Sequence, residues 1–328
     1  MRITSLKELH DRVKSAWKAH GSSGQELAVS TKALDEGIKR SMMNELTTSK
    51  YQIEEIGRYL TTAAYQTTVQ GSFITLHCIH QRDHVGTEVP LVLLQHVVKR
   101  AECVLSICEN KTHLTLWLIP CMILKTFPKN YRDIVSTVHV NSAYTYATGN
   151  EIFIYRKEEF PKVALHETIH HVCSIDTHGA WSQDVLLKLF KGFKISPKTK
   201  LRPNEAVVET WAELFHMMFV SVQYNIPFKV LYAAETQWAV TQTKRILQKQ
   251  HRMKTSWKEE THAFSYYVIR AMFMLDITNF MRHSMDKNMD ALADLALATL
   301  ASKKFASRLK NTQLPTHDSF RMTITGDL

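Results

Sequence analysis

The chain has 328 residues, of which 45% are hydrophobic and 22% charged, enough to bury a sizeable core without a disulfide scaffold. With only 10 Gly and 8 Pro, collagen-like and low-complexity tracts are excluded, Gly-rich nucleotide-binding loops are disfavoured, and a helix-rich body of enzyme size remains. The net charge of +10 points to an acidic partner, yet no zinc-finger spacing, RNP-type aromatic motif or glycine clamp accompanies it, so nucleic acid is a weak expectation.

Residues 1–70 read as a helical N-terminal portion. Leu27, Leu34 and Ile38, then Ile53, Ile56 and Leu60, recur at helical spacing, and the Gly21-Ser22-Ser23-Gly24 break separates them from a first helix. Charged residues interrupt the first twenty positions, so no secretory signal is expected. The five cysteines are odd in number and contain no CxxC pair, which favours reduced thiols. The strongest apolar run, His113 to Leu124, is too short to span a bilayer, for which about 20 residues are needed. A soluble protein of the cytoplasm or nucleus, with no membrane partner, is the expectation.

From Gly71 the pattern changes. Phe73 to Ile79, Leu114 to Ile119 and Ile152 to Tyr155 are short and β-prone, and Pro90 to Ile107 reads as a helix between the first two. Strand, helix, strand in that order suits a mixed sheet with a helix packed on it. Phe160 to Cys173 is a helix with Pro161 in its first turn. A basic stretch, Lys191 to Arg202, precedes a further helix that Asn204 would cap and that runs to about Val222. Beyond Pro227, helical patterns near Phe228 to Gln250, Trp257 to Arg282 and Met289 to Leu309 predict an all-helical C-terminal part. The expected fold class is α+β, with a helical portion over 1–70, a catalytic core over 71–222 and a helical subdomain over 223–328 that completes the cleft.

The residues that carry chemistry are His166-Glu167-Thr168-Ile169-His170. Positions i and i+4 share one helix face, so both imidazoles reach one ion, while Glu167 flanks them as a base for an activated water. A catalytic zinc takes a third protein ligand and leaves a fourth position open. Asp176, six residues after His170, is one candidate, but it needs a sharp turn at Cys173, where Gly would be suited. The other candidates are Glu205, Glu209 and Glu213, which recur every four residues along an otherwise apolar helix. A buried acidic stripe is costly unless something positive meets it.

The HExxH pentapeptide followed by a helix with ExxxE resembles the gluzincin branch of the zincin metallopeptidases. Glu209-Thr210-Trp211-Ala212-Glu213-Leu214-Phe215 is similar to the E-aromatic-aromatic-A-E-x-F segment of the anthrax lethal factor catalytic domain, with Thr210 departing from the first aromatic. The resemblance covers only the two ends of His166 to Phe215. It implies a zincin-like fold, a small mixed sheet packed on the active-site helix, and one catalytic zinc ion held by His166, His170 and Glu209. Glu167 is then the general base and Glu213 a partner supporting the ligand. Glu205 satisfies the same ExxxE rule one turn earlier. It falls in the first turn, where helices fray, so Glu209 is the preferred ligand and Glu205 the alternative.

The activity that follows is metal-assisted hydrolysis of peptide bonds, by an endopeptidase or a carboxypeptidase acting on a protein or peptide substrate. Arg202 occupies the position at which lethal factor carries a Tyr before its Glu ligand, so the donor to the oxyanion is sought elsewhere. Tyr266 or Tyr267, near His262 and Arg270, is the expectation. Zincins typically run substrate antiparallel to an edge strand preceding the active-site helix, and either Glu151 to Arg156 or Asn141 to Thr148 would supply it. The competing function is a basic binding protein that keeps a zincin fold without activity.

Overall fold

The computed structural model describes residues 3–22, 27–48, 53–82, 88–146, 149–172 and 174–328. In chain order its elements are α1 (Leu6–Ser22), β1 (Ala28–Ala33), α2 (Glu36–Thr48), α3 (Ile53–Thr62), β2 (Tyr65–Gln70), β3 (Ile74–His80), α4 (Leu91–Ile107), β4 (Leu114–Leu118), α5 (Thr137–Val140), β5 (Ala143–Thr145), β6 (Glu151–Ile154), α6 (Phe160–His170), α7 (Gln183–Phe193), α8 (Pro203–Tyr224), α9 (Phe228–Met253), a π-helical turn (Phe264–Ile269), α10 (Arg270–Leu275), α11 (Ile277–Met285), α12 (Met289–Ala301) and α13 (Lys303–Asn311). The fold is mixed α and β, with a six-stranded mixed sheet and many helices. Among the described residues no helix is long and apolar enough to cross a membrane.

The chain divides into two compact units. One comprises Arg12–Leu124, Asn141–Val172 and Gly326–Leu328, and the other Met1–Asp11, Lys125–Val140 and Cys173–Thr325. The first is built on the sheet, in the order β1-β2-β3-β4-β6-β5. β3, β4 and β6 run parallel, β1 and β2 extend that sheet antiparallel at one side, and β5 pairs antiparallel with β6 at the other. The strand-helix-strand reading is met by β3, α4 and β4. On one face of the sheet, Leu34, Met42, Ile56 and Leu60 pack in a single cluster with Ile79, Ile119 and Phe153. Helix α4 packs on β2 and β3, and α6 on β5 and β6, with α4 and α6 in mutual contact.

Two sequence expectations change here. Residues 1–70 are not uniformly helical, because β1 and β2 lie among their helices. All six residues of β1 are exposed, so no apolar alternation marks it, and it is held by backbone pairing to β2 and by Thr31 Oγ1 against Thr67 Oγ1 at 2.8 Å. Ser23 and Gly24 of the expected break lie outside the described residues, and α1 runs through Ser22. Secondly, β6 lies between β4 and β5, so Glu151 to Arg156 is not a sheet edge. The edge is Ala143–Thr145, within the alternative segment Asn141 to Thr148, of which Ala147 and Thr148 lie outside the described residues.

The second unit is helical. Pro203 occupies the first turn of α8, where its missing N–H is no loss, and Arg202 rather than Asn204 caps the helix. Helix α7 is absent from the sequence reading above. Its N-cap is Ser182, whose Oγ accepts the Val185 N–H at 3.3 Å. Trp257 to Arg282 is not one helix. Trp257 is extended and bridges Ile195, the helical path starts at Phe264, and Asp276 interrupts it by capping α11. Ser302 divides Met289 to Leu309 likewise, its Oγ accepting Phe305 N–H at 3.1 Å.

Candidate metal centre

Helix α6 carries the HExxH residues. Phe160 through Ile169 are buried, Pro161 sits in the first turn, and Glu159 enters the helix with a left-handed φ of 62°. A histidine in such a setting is a polar group without water and needs a partner. The partner of each is partly the other: His166 Nε2 and His170 Nε2 lie 3.2 Å apart, with ring planes at 76°. Both nitrogens thus converge on the same small region of space. Glu167 between them is 7% exposed. His171, the third imidazole of the run, is engaged differently, with Nε2 2.8 Å from Thr145 Oγ1 on β5.

Helix α8 carries the carboxylates. It is buried from Pro203 to Ser221, and Glu205, Glu209 and Glu213 are 6%, 1% and 0% exposed. Each meets a donor from the segment that starts at the π-helical turn. The Tyr266 hydroxyl donates to Glu205 Oε2 at 3.0 Å, and Asn204 Nδ2 approaches Glu205 Oε1 at 3.4 Å. One turn further on, Arg270 Nη1 stands 3.4 Å from both Glu209 Oε1 and Glu213 Oε2. Arg270 Nη2 in turn donates to the Met322 carbonyl at 2.7 Å. The positive charge that the stripe required is therefore a guanidinium at Glu209 and Glu213. Thr210, the departure from the lethal factor pattern, returns its hydroxyl to the Ala206 carbonyl at 2.6 Å.

Among the described residues one group of three is disposed to hold a metal ion. Ligand atoms of His166, His170 and Glu205 lie within 4.8 Å of one another. Glu209, the ligand implied by resemblance, is not in that group, and neither are Glu213 and Asp176. Asp176 instead accepts the His178 N–H at 2.9 Å, a local turn. Glu205 does not sit in a frayed turn: it is the third residue of a helix started by a proline, and the positive end of the helix dipole favours its carboxylate.

The two tyrosines separate. Tyr266 is committed to Glu205, whereas the Tyr267 hydroxyl donates to the Phe320 carbonyl at 2.5 Å and its ring stacks on Phe320 at 4.1 Å. Tyr267 is thus a packing residue. His262 lies beside Tyr266, ring centroids 6.3 Å apart, with Nδ1 3.2 Å from the Lys200 carbonyl. Burial lowers its pKa, and the nearby Glu205 opposes that shift without reversing it. In the sequence His262 and Arg270 stand out only as polar tips in an apolar run. Their partners lie 57 to 62 positions away in the chain, beyond any local pattern. The basic residues Lys191, Lys194, Lys198, Lys200 and Arg202 are all exposed.

Comparison of the chain with protein-family models, with curated proteins and with solved structures finds no match.

Proposed function

We propose that the chain is a zinc-dependent peptidase of zincin-like fold, in which His166, His170 and Glu205 hold one zinc ion and Glu167 is the general base. The observation that carries the reading is the 3.2 Å separation of the two histidine nitrogens. Two nitrogens each ~2.0–2.1 Å from a tetrahedral zinc stand about 3.3 Å apart. Two imidazoles and one carboxylate are also a donor set of catalytic zinc, with a position left for water. Zinc bound there supplies Lewis acidity, activating water and polarising a peptide carbonyl.

The chain's own residues do the rest. Both histidines act as neutral ligands, which requires them deprotonated. Glu167, next to His166 on the same helix, takes the proton of the attacking water and returns it to the leaving amine. Tyr266 orients Glu205 through its hydroxyl, the kind of supporting hydrogen bond that fixes a ligand's angle. Arg270 is one cation shared between Glu209 and Glu213, so Glu205 is the α8 carboxylate that serves as the ligand. The short edge strand β5 is where an extended peptide would add to the sheet, antiparallel.

Metal analysis of the purified protein tests this directly. The expected result is one zinc per chain, lost in His166→Ala, His170→Ala and Glu205→Gln but kept in Glu209→Gln and Glu167→Gln. Hydrolysis of a proteome-derived peptide library should stop in Glu167→Gln although its zinc remains. Zinc-free protein, or undiminished hydrolysis by Glu167→Gln, overturns the reading.

A further inference from the structure

Helices α7 and α9 end beside each other in the helical unit. Lys194 closes α7 and Lys254 closes α9, both in the left-handed region with φ of 55° and 53°. Gln250 Nε2 donates to the Phe193 and Lys194 carbonyls at 2.9 and 3.0 Å, which ties the two helix ends together. A cleft of about 1020 Å³ opens there. Apolar side chains line it, Leu187, Phe190 and Leu247 among them, together with Lys191, Lys194 and Lys254. Leu187 remains 49% exposed.

The charge is unbalanced. Among the described residues no carboxylate lines the cleft. Among the described residues none of Lys191, Lys194 and Lys254 has an ion-pair partner, whereas Lys188 on the same helix is paired with Asp294. The two helix C-termini offset only about half a charge each, so roughly two positive charges stay uncompensated over an apolar floor. That combination suits a ligand that is itself both acidic and apolar, and a cleft of this volume accommodates several side chains.

We propose that this cleft binds an acidic amphipathic helix of a partner protein. The partner's apolar residues, at i, i+3 or i+4 and i+7, would occupy the floor at Leu187, Phe190 and Leu247, and its Asp and Glu residues would meet the three lysines. Nucleic acid fits less well. Phosphate-tracking grooves interleave cations with exposed aromatic rings on which bases stack, and among the described residues the single Phe, Tyr or Trp here is the half-buried Phe190. A second copy of the chain is disfavoured by its net charge of +10. The proposal does not depend on the metal centre.

The test is fluorescence anisotropy with the full chain at physiological ionic strength, using three probes: a labelled helical peptide of Leu and Glu in amphipathic order, its scrambled isomer, and a DNA oligonucleotide. The amphipathic peptide should bind, and the scramble about tenfold more weakly. Binding should fall by about tenfold both in the triple variant Lys191→Ser, Lys194→Asn, Lys254→Asn and in Leu187→Ser, since apolar anchors and their desolvated charges carry most interface energy. Asn is chosen where φ is positive because it tolerates that region. Equal binding of the scramble, absence of peptide binding, or indifference to Leu187→Ser overturns the proposal. DNA binding tighter than the peptide's and sensitive only to the lysines would replace it with a polyanion surface. Concentration-dependent self-association abolished by the same variants would replace it with a dimer. Zinc content, measured in parallel, should be unchanged in every variant, so failure of the metal reading registers separately.

Discussion

The Tyr266 hydroxyl donates to Glu205 Oε2 at 3.0 Å in a site where Tyr266 is 9% and Glu205 6% exposed. A buried carboxylate with that donor is held in one orientation, and a ligand so held binds metal better than one that must be ordered at the moment of binding. Tyr266→Phe removes the donor and little volume. Zinc affinity, measured by competition with a chromogenic chelator, should fall about 10–100-fold with the circular dichroism spectrum unchanged. A variant that keeps full zinc affinity and loses only kcat would instead make Tyr266 the donor to the oxyanion.

Arg270 serves two carboxylates at once. Its Nη1 lies 3.4 Å from Glu209 and from Glu213, with all three side chains at most 1% exposed. Arg270→Met removes the guanidinium shared by two buried acids, and breaking a buried ionic cluster this way costs about 3–5 kcal/mol. Adding Glu209→Gln and Glu213→Gln to Arg270→Met should recover most of that loss, because neutral amides at those positions need no counter-charge. Urea unfolding of the single and triple variants checks both statements. Equal stability of the two would show that the cluster is not coupled.

Helices α6 and α8 were legible because their apolar residues recur at helical spacing, and the HExxH pair because i and i+4 share a face. What was not legible depends on partners distant in the chain. β1 has no buried residue, so only its pairing to β2 marks it. Trp257 looks helical in an apolar run, yet its backbone N–H donates to the Lys194 carbonyl at 2.9 Å, which fixes it as extended. The sequence ranks Glu205 second to Glu209 because it falls in the first turn, whereas Pro203 starts the helix and Tyr266, 61 positions on, supplies a hydrogen bond to Glu205. Resemblance to a known motif placed the ligand at Glu209. The Arg270 contact that gives Glu209 another task involves a side chain outside that motif.

Gly71 sits where the chain turns between β2 and β3. A Cβ at this position would meet Glu102 Oε1 at 2.3 Å and Val98 Cγ1 at 3.0 Å. The Glu102 carboxylate is already occupied, accepting the Phe73 N–H at 2.8 Å. Gly71→Ala therefore displaces a buried acceptor from a backbone donor, and the loss should be about 1–3 kcal/mol despite the smaller unfolded-state entropy of Ala. In the Glu102→Ala background the added methyl should cost less, because only the Val98 contact at 3.0 Å then remains to be relieved. Thermal unfolding of the two pairs, each compared with its own Gly71 parent, measures the difference.

Glu259 accepts Trp257 Nε1–H at 3.1 Å and Phe264 N–H at 2.9 Å, at the start of the π-helical turn that carries Tyr266. Burial pushes its pKa up from 4.5 to about 8, and these hydrogen bonds only partly offset the shift. The folded state thus holds a proton that the unfolded state releases above 4.5, so the folded chain binds more protons across the window from 4.5 to about 8. Stability from this group is fully present below 4.5 and declines as pH rises through about 8, beyond which it declines no further. Glu259→Gln keeps an oxygen for both donors and cannot ionise. Its melting temperature relative to the parent should therefore rise as pH is raised across the window, and the gap should level off above it. Parallel melting curves for the two proteins at every pH would mean that Glu259 is not a buried neutral acid.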